Sequence, residues 1–216
     1  MTFLKKTAFT ALAFFSMTAP AHAVIDYSFG PAPAYANYLT TFDSIPVGTH
    51  SGTFSMPAGS FTLTSHSHIV QGSAPTYAKP YQDNTRYASI NTNGSITFNL
   101  SHNMHYMGLL WGSVDTYNAL DFYRNGVLLG SVTGAQIIAA AGLIAGNQGA
   151  FGTVYTNITS EWMFNKVVAR SSNIAFEFDD VRFSTVPLPA ALPMFASLVL
   201  GGGLMGRRRR KALAAA

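Results

Sequence analysis

The sequence predicts an all-β domain, an antiparallel β-sandwich of jelly-roll type, held between two terminal address segments. Three observations carry this expectation. Only 10% of residues are charged while 13% are aromatic, a balance that suits strands and turns better than a salt-bridged helical bundle. Strand-like segments recur at short intervals between residues 38 and 183, punctuated by Gly, Pro and Asn. Ile174, Phe176 and Phe178 alternate with Ala175, Glu177 and Asp179, which turns one face of a late strand toward a core. The 216 residues suffice for one sizeable core. With no Cys, the chain has no disulfide framework, thiolate metal site or cysteine nucleophile.

Taken in order, residues 1–23 follow the grammar of a secretory signal peptide. Lys5 and Lys6 are the positive start, Thr7 to Met17 is the apolar run, and Ala21-His22-Ala23 is a small-x-small site with cleavage expected before Val24. Residues 30–37 form a Pro-broken lead-in. Strands are expected near 38–43, 52–56, 60–65, 86–90, 95–100, 105–112, 118–124, 127–132, 151–155, 163–170 and 173–183. Asn125-Gly126 between Arg124 and Val127 predicts a two-residue hairpin, because both residues tolerate the positive φ of a type I′ turn; Asn93-Gly94 is a weaker turn signal of the same kind. Thr133 to Asn147 breaks the strand pattern. Ile137, Ile138, Ala141 and Ile144 have helical spacing, but Gly142 and Gly146 oppose a full helix, leaving a short helix or an apolar loop.

The C-terminus has three parts: Val186-Pro187-Leu188-Pro189, an apolar stretch over 190–206, and the basic cluster Arg207, Arg208, Arg209, Arg210 and Lys211. As a helix the stretch would measure roughly 25 Å at about 1.5 Å per residue, marginal for a hydrocarbon core of about 30 Å. The basic cluster would hold its end in the cytoplasm. With an exported N-terminus this reads as a stop-transfer transmembrane helix on an inner-membrane-anchored precursor, with 24–185 outside the membrane.

This tail resembles the PEP-CTERM sorting signal of Gram-negative bacteria, in which a short proline motif precedes an apolar helix and an Arg-rich end. Leu188 stands where that family usually has Glu. The resemblance implies export by the Sec machinery and processing by an exosortase. A second resemblance covers roughly residues 40–183. It is carried by Met107-Gly108-Leu109-Leu110-Trp111-Gly112-Ser113-Val114-Asp115-Thr116-Tyr117-Asn118, by Thr41-Phe42-Asp43-Ser44-Ile45-Pro46, and by Phe176-Glu177-Phe178-Asp179-Asp180-Val181. In this order they are similar to a family of exosortase-dependent surface proteins with a carbohydrate-module-like sandwich. That similarity implies a structural or adhesive surface protein without established catalytic chemistry.

Charge excludes one partner class. Seven of the 13 bases lie at the two ends, so residues 24–185 keep six bases against nine acids, a net of −3. A nucleic-acid-binding face would need its bases on the folded domain, so no nucleic acid partner is expected.

No enzyme motif is present: there is no Gly-x-Ser-x-Gly elbow, Walker loop or His-Glu-x-x-His. Glu161 and Glu177 are the only glutamates, and nothing in the sequence pairs them as a glycosidase would. His66 and His68 alternate on a strand-like stretch and, with His50 or with His102 and His105, have metal-ligand chemistry; exposed polar residues on a sheet face is the preferred reading. Among Asp43, Asp115, Asp179 and Asp180, the pairing of first and last strands common in such sandwiches would bring Asp43 beside Asp179 and Asp180. Carboxylates with carbonyls suit calcium, the one ion considered; otherwise no cofactor is expected. Of the aromatics Trp111, Tyr117, Tyr123 and Trp162, Trp111 reads as core. Tyr117 with Asn118, beside a turn, is the pair expected to touch a glycan. Two readings stay open: a non-catalytic surface or matrix protein associated with exopolysaccharide, and a carbohydrate-binding module.

Overall fold

The computed structural model describes residues 24–185. The signal peptide at 1–23, the motif at 186–189, the stretch at 190–206 and the cluster at 207–211 lie outside the described residues. Among the described residues no helix is long and apolar enough to cross a membrane.

Eleven strands and one helix follow in chain order: β1 (Ile25–Phe29), β2 (Tyr38–Thr40), β3 (Gly52–Met56), β4 (Gly59–Leu63), β5 (Ser67–Gln71), β6 (Arg86–Ile90), β7 (Ser95–Trp111), β8 (Asn118–Arg124), β9 (Val127–Thr133), α1 (Gly134–Ala141), β10 (Val154–Ser171) and β11 (Phe176–Ser184). Every named pairing is antiparallel. The domain is all-β and sandwich-like, as the composition and turn spacing predict.

The long strands β7 and β10 each serve two ladders. Residues 95–99 of β7 lie between β4 and residues 166–170 of β10. Further along, 106–111 of β7 lie between 154–159 of β10 and β11. Register shifts between Thr159 and Lys166 mark the change of partner, which is what a bulge does to a strand. β8 and β9 extend the first ladder beyond β10, and β3 edges β4. β6, β5 and β2 extend the second beyond β11, and β1 edges β10. The apolar faces meet through aromatics. Phe98 of β7 packs on Phe178 and Phe183 of β11 with ring centroids 6.2 and 5.7 Å apart, and Phe42 packs on Phe61 of β4 and on Phe178.

Several boundaries differ from expectation. β1 was not anticipated, since Ile25-Asp26-Tyr27-Ser28-Phe29 is followed at once by the Pro-broken lead-in. The segments read as 95–100 and 105–112 are one strand, because Ser101 to Met104 offers no Gly or Pro to end it. Likewise β10 runs unbroken through the interval left between 151–155 and 163–170. Thr133 to Asn147 resolves into α1 and a loop. Thr133 caps the helix in a capping box with Gln136, and Gly142, at φ 67°, ends it in the left-handed region. Ile144 falls beyond that stop and is exposed. The Asn125-Gly126 turn forms as expected: both residues have positive φ, 49° and 84°, and Arg124 pairs Val127.

The late strand departs from its alternation at both ends. Ile174 is 45% exposed rather than core. At the other end Asp180 takes a positive φ of 49° and the register with β7 shifts between Asp179 and Arg182. Core positions therefore move from Phe176 and Phe178 to Val181 and Phe183, all fully buried. The opposite face of β11 is not solvent-facing: Glu177 and Asp179 are each 2% exposed.

Candidate binding site

What buries those two carboxyls is the segment 72–85 that joins β5 to β6 across the non-core face of β11. Tyr87 anchors its start, donating from its hydroxyl to Gly72 O at 2.6 Å. Ala78 N–H donates to Glu177 Oε1 at 2.9 Å, and Thr85 Oγ1 lies 3.0 Å from Asp179 Oδ2. The segment thus divides the acidic face into two pockets.

The first pocket, about 160 Å³, gathers Tyr77, Ser113, Asp115, Tyr117, Gln148 and Glu177 among its lining residues. Trp111, which precedes the lining turn in the chain, is fully buried in the core and stacked on Phe176 at 4.6 Å. After Trp111 the chain turns through 112–117, closed by Asn118 N–H donating to Asp115 O at 3.2 Å. Asn118 is 1% exposed and binds no solvent-side partner: its amide donates to Ala175 O at 3.2 Å and accepts from Ser171 Oγ at 2.9 Å. It clips the turn to the start of β11, which removes it from the expected glycan-contact pair. Tyr117, half-buried, does line the pocket, and its hydroxyl donates to Ile174 O. Gly146 approaches Asp115 so closely that a Cβ there would lie 3.2 Å from Asp115 Oδ1.

Burial governs the protonation of this pocket. Removal from water pushes Glu177 up to about 8; the Ala78 amide pulls it back in part, nearby Asp115 pushes it further, and the amides of Glu177 and Ser113 oppose. Asp115, 8% exposed, is raised by burial and eased by its contact with Tyr117. Tyr117 is raised by burial and by Asp115. Glu177 Oε2 is buried with no hydrogen-bond partner, and no Lys, Arg or His is among the lining residues.

The second pocket, about 480 Å³, brings Asp43, Asp179 and Asp180 together and adds Asp83. Asp43 is exposed and already engaged, accepting from Arg86 N–H at 3.0 Å. Closer contact is made by Asp83 and Asp179 across Thr85, whose Oγ1 lies 2.5 Å from Asp83 Oδ1 and 3.0 Å from Asp179 Oδ2. The Thr85 hydroxyl has one hydrogen for these two acceptors. Burial, with Asp83 and Asp180 nearby, pushes Asp179 up to about 7. Asp180 is raised by burial, Arg182 opposing, with Asp83 and Asp43 raising it further. Among the described residues no three His, Asp or Glu side chains converge closely enough to hold an ion. The acids expected to bind calcium therefore share a pocket without forming a ligand set, and the nearest pairing, Asp83 with Asp179, is not the expected one.

No protein-family model matches the chain, and no curated protein matches it.

The remaining expected groups disperse. His50 and His68 stand with ring centroids 6.1 Å apart, while His66 Nδ1 bonds Thr92 O, His102 Nδ1 bonds Ser101 Oγ and His105 Nδ1 bonds Ser160 O. His68 is lowered by burial, with His50 and His66 adding repulsion. Of the other aromatics, Tyr123 lies under Lys166 Nζ at 4.2 Å and Trp162 is 40% exposed on β10. Glu161, at the edge beside Val24, is not in the Glu177 pocket. Asp115 and Glu177 form the carboxyl pair that the sequence did not join. Glu177 carried one signal, an acid between two core Phe residues, but nothing local shows that 72–85 covers it.

Proposed function

We propose that the chain is an exported surface or extracellular-matrix protein of a Gram-negative bacterium, structural or adhesive and non-catalytic. Its all-β domain is of jelly-roll type. On this reading the Sec machinery exports the chain, the apolar stretch and basic cluster halt it in the inner membrane, and an exosortase acts at Val186-Pro187-Leu188-Pro189 before it reaches the cell surface or exopolysaccharide. The observation that carries this is the order of the ends around the domain: Lys5 and Lys6 before an apolar run, then a β-domain of net charge −3, then a proline motif, an apolar stretch and five bases. Cell fractionation of the wild type and of Pro187→Ala/Pro189→Ala tests it. Surface location for the wild type and inner-membrane retention for the variant support the reading; identical distribution contradicts processing at the motif.

A second reading, a carbohydrate-binding module, is favoured by one observation. Ser113, Asp115 and Tyr117 of the Trp-Gly-Ser-x-Asp-x-Tyr-Asn string and Glu177, far apart in sequence, meet at one polar pocket with an unpartnered buried carboxyl oxygen. Asp115 and Glu177 are both almost fully buried. They suit gripping a ligand group more than flanking a glycosidic bond, where two carboxyls approach a sugar from opposite sides. A glycan array tests this: retained glycans that are lost on Tyr117→Ala, in a variant that still melts cooperatively, support binding. Calcium enters the proposal only as a structural ion at the pocket shared by Asp43, Asp179 and Asp180. A melting temperature that falls with excess chelator, and does so less in Asp179→Ala, supports it; no chelator effect removes it.

A further inference from the structure

We infer that the pocket of Asp115, Tyr117 and Glu177 receives a primary ammonium group carried by a larger ligand, and that the ligand is a glycan bearing unacetylated amino sugars. This rests on the carbohydrate-binding reading above and names the ligand class of that site.

Size comes first. At about 160 Å³ the pocket is smaller than the roughly 300–1,000 Å³ of sites that enclose a whole small molecule. It takes a protruding substituent rather than a sugar ring. Charge comes second. Its ionisable wall consists of two carboxyls and two phenols, with no basic side chain among the lining residues. Hydrogen bonding comes third. Glu177 is 2% exposed, yet Oε2 has no partner. A buried carboxyl oxygen left unpaired is costly and calls for a partner. An ammonium brings three donors and no acceptor, together with the positive charge the wall lacks; a hydroxyl brings one donor and no charge.

The wall also selects among amines. A lysine side chain carries a four-carbon apolar stem that asks for an apolar sleeve. Here the wall includes Thr76, Ser113 and Gln148, which match the hydroxyls around a sugar amine. Ile174, 45% exposed at the same pocket, offers an apolar ledge beside Tyr117 for the apolar face of a ring. The net charge of −3 over 24–185 favours approach of a polycationic glycan.

The pairing has a proton balance. Glu177 is faced by Asp115, Tyr117, Tyr87 and Tyr77, with no cationic side chain among them, and burial favours the protonated form of its carboxyl. When the ammonium enters, the Glu177 O–H bond breaks, the proton goes to solvent, and the carboxylate pairs with the incoming cation, which keeps its three N–H bonds.

The test is calorimetry of the full chain at pH 7 with a β-1,4-glucosamine hexamer, its fully N-acetylated counterpart and a lysine-containing peptide, each in two buffers of different ionisation enthalpy. The glucosamine hexamer is expected to bind at least about tenfold more tightly than the acetylated one, as loss of a charge-assisted bond implies, with proton release to the buffer. Glu177→Gln is expected to abolish both the preference and the release. Should that variant fail to fold by circular dichroism, Asp115→Asn is expected to lower the preference by about the same factor. Equal binding of the acetylated hexamer, no proton release, or tighter binding of the peptide overturns the ammonium inference while leaving the glycan reading to its array. Binding of no glycan on array or calorimeter overturns both.

Discussion

Glu177 makes stability depend on pH in a defined direction. Its carboxyl ordinarily titrates near 4.5 and is pushed up to about 8 by burial. Below pH 4 it is protonated in both folded and unfolded chains, and its contribution is fully present. As pH rises past 4.5 the unfolded chain ionises first, so the folded state is penalised increasingly until about pH 8, where its own carboxyl ionises and the loss levels off. The expected penalty at the plateau is on the order of 5 kcal/mol. Glu177→Gln, neutral in both states, is expected to melt at a higher temperature than wild type at pH 8 and to flatten the fall between pH 4 and 8. Thermal melts across that range check this; parallel curves would contradict it. Asp179, pushed up to about 7, acts in the same direction over a window ending one unit lower, and Asp179→Asn is expected to remove that part. Neither effect was legible locally. The alternation of β11 assigns Glu177 and Asp179 to a polar face, and a polar face reads as solvated until 72–85 is seen to cross it.

The elements differ in how openly the sequence announces them. The β8–β9 hairpin was legible because Asn125 and Gly126 answer a requirement of two adjacent residues, positive φ at both. Gly126→Ala is expected to cost about 1 kcal/mol through strain in the left-handed region, read by urea denaturation, without altering ligand binding. A neutral outcome would mean that the turn rearranges. The helix was half legible: the Ile spacing was visible, but its bounds come from Thr133 with Gln136 at one end and Gly142 at the other. Thr133→Ala is expected to cost about 1 kcal/mol by the same measurement. Asn118 was misread for an equally physical reason. Polar residues beside turns are usually solvated, whereas this one satisfies the backbone of Ala175, a partner 57 positions away that no local pattern reveals. The lengths of β7 and β10 were missed because bending at their register shifts hides in side-chain periodicity as a break.

At the scale of the molecule, the all-β class follows from composition and turn spacing, which are properties of the chain as a whole and survive errors at single boundaries. The core is an aromatic block in which Phe98, Phe178, Phe61 and Phe42 join the two ladders. Phe178→Ala is expected to destabilise by about 3–5 kcal/mol. The pocket is a product of topology: β7 and β11 run side by side, so the turn after Trp111 and the start of β11 open at one end of the sheet.

The central claim, that a domain of this kind is delivered to the surface by its two ends, is tested most directly by intact mass of the protein recovered from the surface of its native host. The account predicts an N-terminus at Val24 and a C-terminus near Val186 to Pro189, with the apolar stretch and the basic cluster removed. A surface-located protein that still carries Arg207 to Lys211 would contradict it.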